Sequence, residues 1–442
     1  MRKILIFGAG RSSVTLIRYL IDNSLINNWF VNIIDASEDI LNEESYNSSH
    51  SKAVCFDIKK KEKRKKYIID SDIVVSMLPA RMHIMIARDC LEIGRHLVTA
   101  SYISDEIRNL NKEVKAKDLI FLNEIGLDPG IDHMSAMKLI NEIKDSGSEL
   151  ISFRSFCGGL IHPEYDNNPW NYKFTWNPRN VVLAGQGTAK YIRNGKYKYI
   201  PYNKLFQRYE LINVLKEGEF EGYANRDSLS YRSAYGIQNI DTLFRGTLRK
   251  KGYCMSWNAF VQIGMTDDTY VISNTYNMTY REFTNLFFPY NEKLSVEEKF
   301  CQYLKIDFNS HEFKKFEWLG VFSEKRISHQ DATPAKILQE ILEDKWAMDS
   351  GDKDMVVMQH QFEYLQDNKR KRMHSSLVVF GDDPKYTAMS KTVGLPVAIA
   401  VKLILDNKIN LRGVCIPTDK QIYLPVLEEL SDYGINFIDQ LV

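Results

Sequence analysis

Short apolar runs recur through the first third of the chain, and each is followed by a stretch with helical spacing. Residues 4–7 (ILIF) form the first run. Residues 31–34 form a second that ends in Asp35, and residues 73–75 a third that ends at Ser76-Met77-Leu78-Pro79. Residues 96–99 and 119–122 repeat the pattern. A run apolar at every position indicates a strand covered on both faces. Between the first two runs, Val14, Ile17, Leu20 and Ile21 share one helical face. Strands alternating with helices predict an α/β fold with a doubly wound parallel sheet. After about residue 130 the texture changes. Aromatics crowd residues 165–176, strand-like stretches appear at 247–253 and 269–273, and residues 335–346 read as a helix. This mixture predicts an α+β domain. Near the end, residues 376–380 read as a strand and 387–405 as a long helix, apolar on most sides and therefore buried.

Composition narrows the function classes. A length of 442 residues implies two or three domains. A net charge of +1 provides no field to attract nucleic acid or an anionic membrane. The basic run at 59–66 is read as a solvated helix face. The six cysteines include no CxxC pair, so neither structural zinc nor a dithiol site is signalled, and a reducing compartment is expected. No uninterrupted apolar run reaches the length of a membrane span. The apolar residues 4–7 end in glycines and read as a buried strand rather than a leader. A cytoplasmic protein acting on a small molecule is expected, and a homodimer is the default assembly.

The first chemical motif is Gly8-Ala9-Gly10-Arg11-Ser12-Ser13, placed between a strand and a helix. That context makes it a dinucleotide fingerprint: Gly8 for a tight turn, Gly10 for close approach of the pyrophosphate to the helix N-terminus. Ser13 replaces the third glycine and is small enough to keep helix and strand close. Asp35 ends the second strand about 20 residues further on, where a carboxylate accepts hydrogen bonds from ribose hydroxyls and repels a 2′-phosphate. No Arg follows it, which favours NAD, with NADP not excluded. Leu78 and Pro79, at another strand end, are candidate walls for the cofactor.

The densest motif is NEIGLDPGIDH at residues 123–133, where three carboxylates, two glycines, a proline and a histidine follow a buried strand. The chain resembles the saccharopine reductase family, the glutamate-forming saccharopine dehydrogenases. The resemblance runs almost end to end: TASY at 99–102, NEIGLDPGIDH, FCGGL at 156–160, FTWNPR at 174–179, NRDS at 225–228, RGTLR at 245–249, DMV at 354–356, QH at 359–360 and TAMSKTVGLP at 387–396. It implies a Rossmann domain at 1–130, an inserted α+β substrate domain at 131–380, and a C-terminal segment, 381–442, that returns to the first domain. It further implies oxidation of saccharopine to glutamate and 2-aminoadipate 6-semialdehyde through an imine, or the reverse reaction. By the same resemblance Ser101, Tyr102, Asp128, Arg226, Thr247, Leu248 and Arg249 match positions that contact substrate.

The residue types agree with that chemistry. A substrate with three carboxylates calls for cations, and Arg226 and Arg249 can each grip a carboxylate bidentately. Asp128 is the first candidate for acid/base work, and Cys157 is either a proton donor or a small packed residue. His133 is either a proton shuttle or a capping or core histidine. Three features depart from the family: Asp35 stands where NADP-using fungal members carry an Arg-containing turn, Ser13 is unusual at the helix start, and residues 160–163 are less proline-rich. Two alternatives stand beside the main reading. One is a carboxynorspermidine or homospermidine synthase-like imine reductase, whose substrates would want acidic pockets. The other is a non-catalytic cofactor-binding relative.

Overall fold

The computed structural model describes residues 1–442, which divide into two compact units. Met1–Leu150, Ala234–Gly236 and Glu363–Val442 form the first, and Ile151–Ser233 and Ile237–Phe362 the second.

The apolar runs of the first unit become parallel strands: β1 (Arg2–Phe7), β2 (Trp29–Asp35), β3 (Ser51–Cys55), β4 (Ile73–Ser76), β5 (His96–Val98) and β6 (Ile120–Leu122). A further strand, Gly413–Cys415, joins the edge, giving the order Gly413–Cys415, β6, β5, β4, β1, β2, β3, all parallel. The order 3-2-1-4-5-6 is that of dinucleotide-binding sheets, whose ligands lie at the carboxyl ends of the strands. Ile4, Leu5, Ile6 and Phe7 have no exposed surface, because helices cover both faces. Ala388–Leu405 is the one helix long and apolar enough to cross a membrane by composition, and 83% of it is buried in the fold. It packs on helix Val14–Asp22. A Cβ on Gly394 would come within 2.8 Å of the Leu16 backbone nitrogen, so glycine there sets how closely the helices approach. Thr15 Oγ1 meets Ser390 Oγ across the contact at 2.7 Å.

The expected boundaries at 130 and 380 shift to 150 and 362. Helix Ile131–Asp145 stays with the first unit, held against helix Lys420–Asp432, where Asn141 Nδ2 donates to Tyr423 Oη at 2.8 Å. The basic run at 59–66 lies largely on helix Lys61–Ile69, but it is not wholly solvated. Arg64 is buried, and its Nε lies 2.6 Å from Asp89 Oδ2.

The second unit carries β7 (Glu149–Ile161), β8 (Ala189–Arg193), β9 (Lys196–Ile200), β10 (Tyr209–Asn213), β11 (Glu219–Ala224), β12 (Thr242–Lys250) and β13 (Asp354–Gln366). Their order is β10, β11, β12, β7, β13, with β8 attached to β12 and β9 to β8. The β7–β12 pair is parallel, and β10, β11 and β12 run antiparallel. The α+β reading holds here. The aromatic-rich stretch 165–176 supplies Trp170, Tyr172 and Phe174 to a core with Tyr253, Trp257, Phe260 and Trp346. In it Trp170 stacks on Phe260 with centroids 5.7 Å apart. Residues 269–273 are not a strand: only an isolated bridge, Ile272 to Ala332, forms there, and the segment finds no neighbouring strand to pair with.

Candidate active site

The candidate residues fall on both units. On the first, β1 ends at Phe7 and the chain turns at Gly8, with φ +97°, where a Cβ would press to 2.8 Å from the Met77 carbonyl oxygen. Only glycine adopts that conformation in that space. Gly10 faces the opposite circumstance: an added Cβ meets nothing within 4 Å. It lies ahead of the short helical turn Arg11–Ser13 that leads into Val14–Asp22, and no side chain caps the turn. Ser13 is buried, as the small-residue reading requires. Asp35 Oδ2 accepts from Ala9 N–H at 2.9 Å and Oδ1 from Ser37 N–H at 3.0 Å, so the carboxylate is fixed beside the glycine turn. A carboxylate offers about four acceptor positions, and two remain for ribose hydroxyls. An open glycine turn, uncapped N–H groups and an anchored carboxylate fit a nicotinamide dinucleotide. Leu78 and Pro79 follow β4, the first half-buried and the second exposed.

The loop after β6 carries Asp128, which is half-buried. Its Oδ1 accepts from Tyr102 Oη at 2.9 Å, so two of the predicted residues are brought together. Glu124 and His133 of the same loop are buried: Glu124 Oε1 accepts from Ile103 N–H at 3.0 Å, and Oε2 lies 2.9 Å from His133 Nε2. His133 Nδ1 in turn lies 2.6 Å from Tyr235 Oη. His133 has no exposed surface, and through Glu124 its network fixes the backbone next to Tyr102. Ser101, half-buried, sits 2.7 Å from His83 Nε2, and His83 Nδ1 sits 2.8 Å from Ser76 Oγ. Burial pushes His83 down to about 4, which keeps the ring neutral at pH 7.

On the second unit, Thr247, Leu248 and Arg249 lie on β12, and Cys157 lies on β7 in register with Thr247. A Cβ on Gly158 would meet the Leu248 carbonyl oxygen at 2.5 Å, which explains the small residue beside Cys157. Arg226 follows β11 as an exposed residue with φ +48°. Arg249 is 3% exposed, and no carboxylate lies within ion-pair range of it. Its cross-strand neighbour is Glu221, but that carboxylate accepts from Gly252 N–H at 2.7 Å and Cys254 N–H at 2.8 Å. The guanidinium donates from Nη1 to the Leu248 carbonyl at 2.9 Å, also hydrogen-bonds the Tyr253 side chain, and lies over the rings of Tyr172 and Tyr253 at 5.2 and 5.3 Å. Its Nε has no hydrogen-bond partner. Cation–π contacts contribute about 0.5–2 kcal/mol each, against several kcal/mol for desolvating the charge. The deficit is what an incoming carboxylate would offset.

Two family models match in tandem: the saccharopine dehydrogenase NADP binding domain over residues 4–122 and the saccharopine dehydrogenase C-terminal domain over residues 126–435. The chain belongs to the saccharopine dehydrogenase family. A Saccharomyces cerevisiae saccharopine dehydrogenase named as NADP(+)-dependent and L-glutamate-forming is 32% identical over 450 residues, covering 100% of this chain and 99% of that protein. The solved structure of the apo yeast saccharopine dehydrogenase superposes with a TM-score of 0.88 at 31% identity, covering 100% of both chains. The α-aminoadipic semialdehyde synthase of Arabidopsis thaliana is 35% identical over 413 residues, which make up 89% of this chain and 39% of that protein. The chain thus spans less than half the length of that longer relative. Family membership agrees with the Rossmann reading of the first unit.

Within this saccharopine dehydrogenase fold, two polar groups escaped the sequence reading. They are His83, four residues after Pro79, and Glu124, counted above only as one carboxylate among three. The signal for each is a titratable residue within a few positions of a strand's carboxyl end, but their partners depend on where the turns lead.

Proposed function

We propose that the chain interconverts saccharopine with L-glutamate and 2-aminoadipate 6-semialdehyde, using a nicotinamide dinucleotide. The observation that carries this is Arg249: a buried guanidinium that no carboxylate pairs with, matched to a substrate that has three. Arg226 is the second cation for those carboxylates. When bound, the nicotinamide supplies the hydride acceptor or donor. In the oxidative direction a hydride leaves the carbon beside the secondary amine, a C=N bond forms, water adds to it, and the C–N bond breaks to release aldehyde and glutamate. These steps need proton transfers. Asp128, aligned by Tyr102, takes them up and returns them, and Cys157 is the secondary candidate. A polyamine-forming reaction is less well served, because amine substrates would want acidic groups where Arg249 sits.

For the cofactor we favour NAD, on Asp35. The anchored carboxylate stands where a 2′-phosphate would bring a second negative charge. NADP is the second reading, supported by the names of the family model and the fungal relatives and by exposed Arg11 in the glycine turn. The test is the absorbance of reduced nicotinamide after mixing the protein with saccharopine and each cofactor in turn. A rise with NAD alone supports both parts, and a rise with NADP alone overturns the Asp35 argument. No rise with either overturns the reaction.

A further inference from the structure

Ser76 is the last residue of β4 and Ser101 lies just beyond β5, and His83 bridges their hydroxyls with one ring nitrogen each, at 2.8 and 2.7 Å. His83 is 2% exposed and Ser76 not at all. A neutral imidazole has one N–H and one bare nitrogen, so the two serines stand in opposite roles: one donates to the ring and the other accepts from it.

The environment decides which. The Ser76 hydroxyl has His83 Nδ1 as its only hydrogen-bond partner. A buried hydroxyl proton without an acceptor is much costlier than an unused lone pair. Ser76 therefore donates to Nδ1, and the ring proton sits on Nε2, favoured by roughly ten to one or more on that cost. Nε2–H then donates to Ser101 Oγ. The backbone of Ser101 is already engaged, its N–H with Thr99 Oγ1 at 3.3 Å and its carbonyl with Glu124 N–H at 3.1 Å. What remains is the hydroxyl proton of Ser101.

We infer that His83 is a positioning residue that sets the Ser101 hydroxyl as a hydrogen-bond donor, so that this position selects an acceptor oxygen, such as a substrate carboxylate, over an amine N–H. The inference rests on the proposed function for the identity of that acceptor. The tautomer does not depend on it. The Ser76–His83–Ser101 chain also gives a structural basis for preferring a carboxylate-rich substrate to a polyamine, independent of Arg249.

The tautomer is read directly by two-bond proton–nitrogen correlation NMR on protein labelled with ¹⁵N-histidine, with the His83 signals identified by their loss in His83→Gln. The expected result at neutral pH is a proton on Nε2 and a bare Nδ1. A proton on Nδ1, or on both nitrogens, overturns the inference whatever the enzyme's substrate. Kinetics supply the second reading. An amide offers an acceptor and a donor in the same sense as the ring, so His83→Gln should keep the KM for saccharopine within about threefold. His83→Met, which offers no donor, should raise it about three- to tenfold, with kcat and cofactor affinity little changed. Equal KM values for the two variants, with the Nε2 tautomer confirmed, overturn the role assigned to Ser101 while leaving the reaction intact. If His83→Met does not fold, the tautomer and His83→Gln still decide the matter. An absence of turnover by wild-type protein defeats the reaction, not the tautomer.

Discussion

Tyr102 Oη donates to Asp128 Oδ1 at 2.9 Å, across 26 residues of sequence, and Glu124 fixes the backbone immediately after Tyr102. The pair therefore acts as a unit. If Asp128 moves protons in the reaction, Asp128→Ala should lower kcat by about 10²–10⁴, the usual contribution of a positioned acid/base group. Tyr102→Phe should lower it less, about tenfold. The double variant should be no slower than Asp128→Ala alone, because residues acting together are not additive. Steady-state kinetics on the three variants check this, and fully additive losses would mean that the two act separately.

Asp35 tests the cofactor reading. Its carboxylate holds Ala9 and Ser37 through their N–H groups, and the proposed ribose contact would use its remaining lone pairs. Hydrogen bonds to a charged group contribute about 1.5–3 kcal/mol. Asp35→Ala should weaken NAD binding by about tenfold or more and narrow the gap to NADP. Fluorescence titration with each reduced cofactor measures both. Unchanged selectivity would show that this carboxylate serves only the turn.

Much of the fold was legible because parallel strands buried on both faces must be apolar throughout. Runs 4–7, 31–34 and 73–75 announced themselves as β1, β2 and β4. Residues 269–273 misled because β-branched and aromatic residues also occur in irregular segments, and strand formation requires a partner that the sequence does not show. Helix Ile131–Asp145 groups with the first unit through Lys420–Asp432, nearly 300 residues later in the chain, a contact no local pattern shows. Among the candidate residues, the tight turn at Gly8 and the strand-end place of Asp35 were readable because local geometry fixes them. That Arg249 lacks a carboxylate partner was not readable, since Glu221 sits directly across the ladder and is withdrawn only by the N–H groups of Gly252 and Cys254.

Arg249 should separate function from stability. Replacing a buried, unpaired charge with an apolar side chain of similar volume is often neutral or stabilising. Arg249→Met should therefore leave the ligand-free protein as stable as wild type or more so, while raising the KM for saccharopine about 100-fold and leaving cofactor affinity unchanged. Arg249→Lys should not restore it, because an ammonium lacks the planar fork that meets a carboxylate. Thermal unfolding and initial-rate kinetics on the same preparations read both quantities. A variant that loses stability along with substrate affinity would mark Arg249 as structural.

His83 gives the stability of the protein an acid limb of known sign. Burial holds its pKa at about 4, below the ordinary value of 6.5, so between those values the unfolded chain binds a proton that the folded chain refuses. Stability supplied by keeping the ring neutral is present above about pH 6.5 and falls as pH drops towards 4. The full extent is about 3 kcal/mol, from 1.36 kcal/mol for each pH unit between the two values. The structure agrees with the direction: protonation would put a donor on Nδ1, where Ser76 already offers its own proton. Other groups titrate over the same range, so the comparison is with His83→Gln, which lacks only this one. Urea unfolding of both proteins from about pH 7.5 to about pH 4 should show wild type losing about 3 kcal/mol more than the variant. A gap that stays constant with pH would mean that His83 does not enter the fold neutral, and the hydrogen-bond polarity assigned to Ser101 would fall with it.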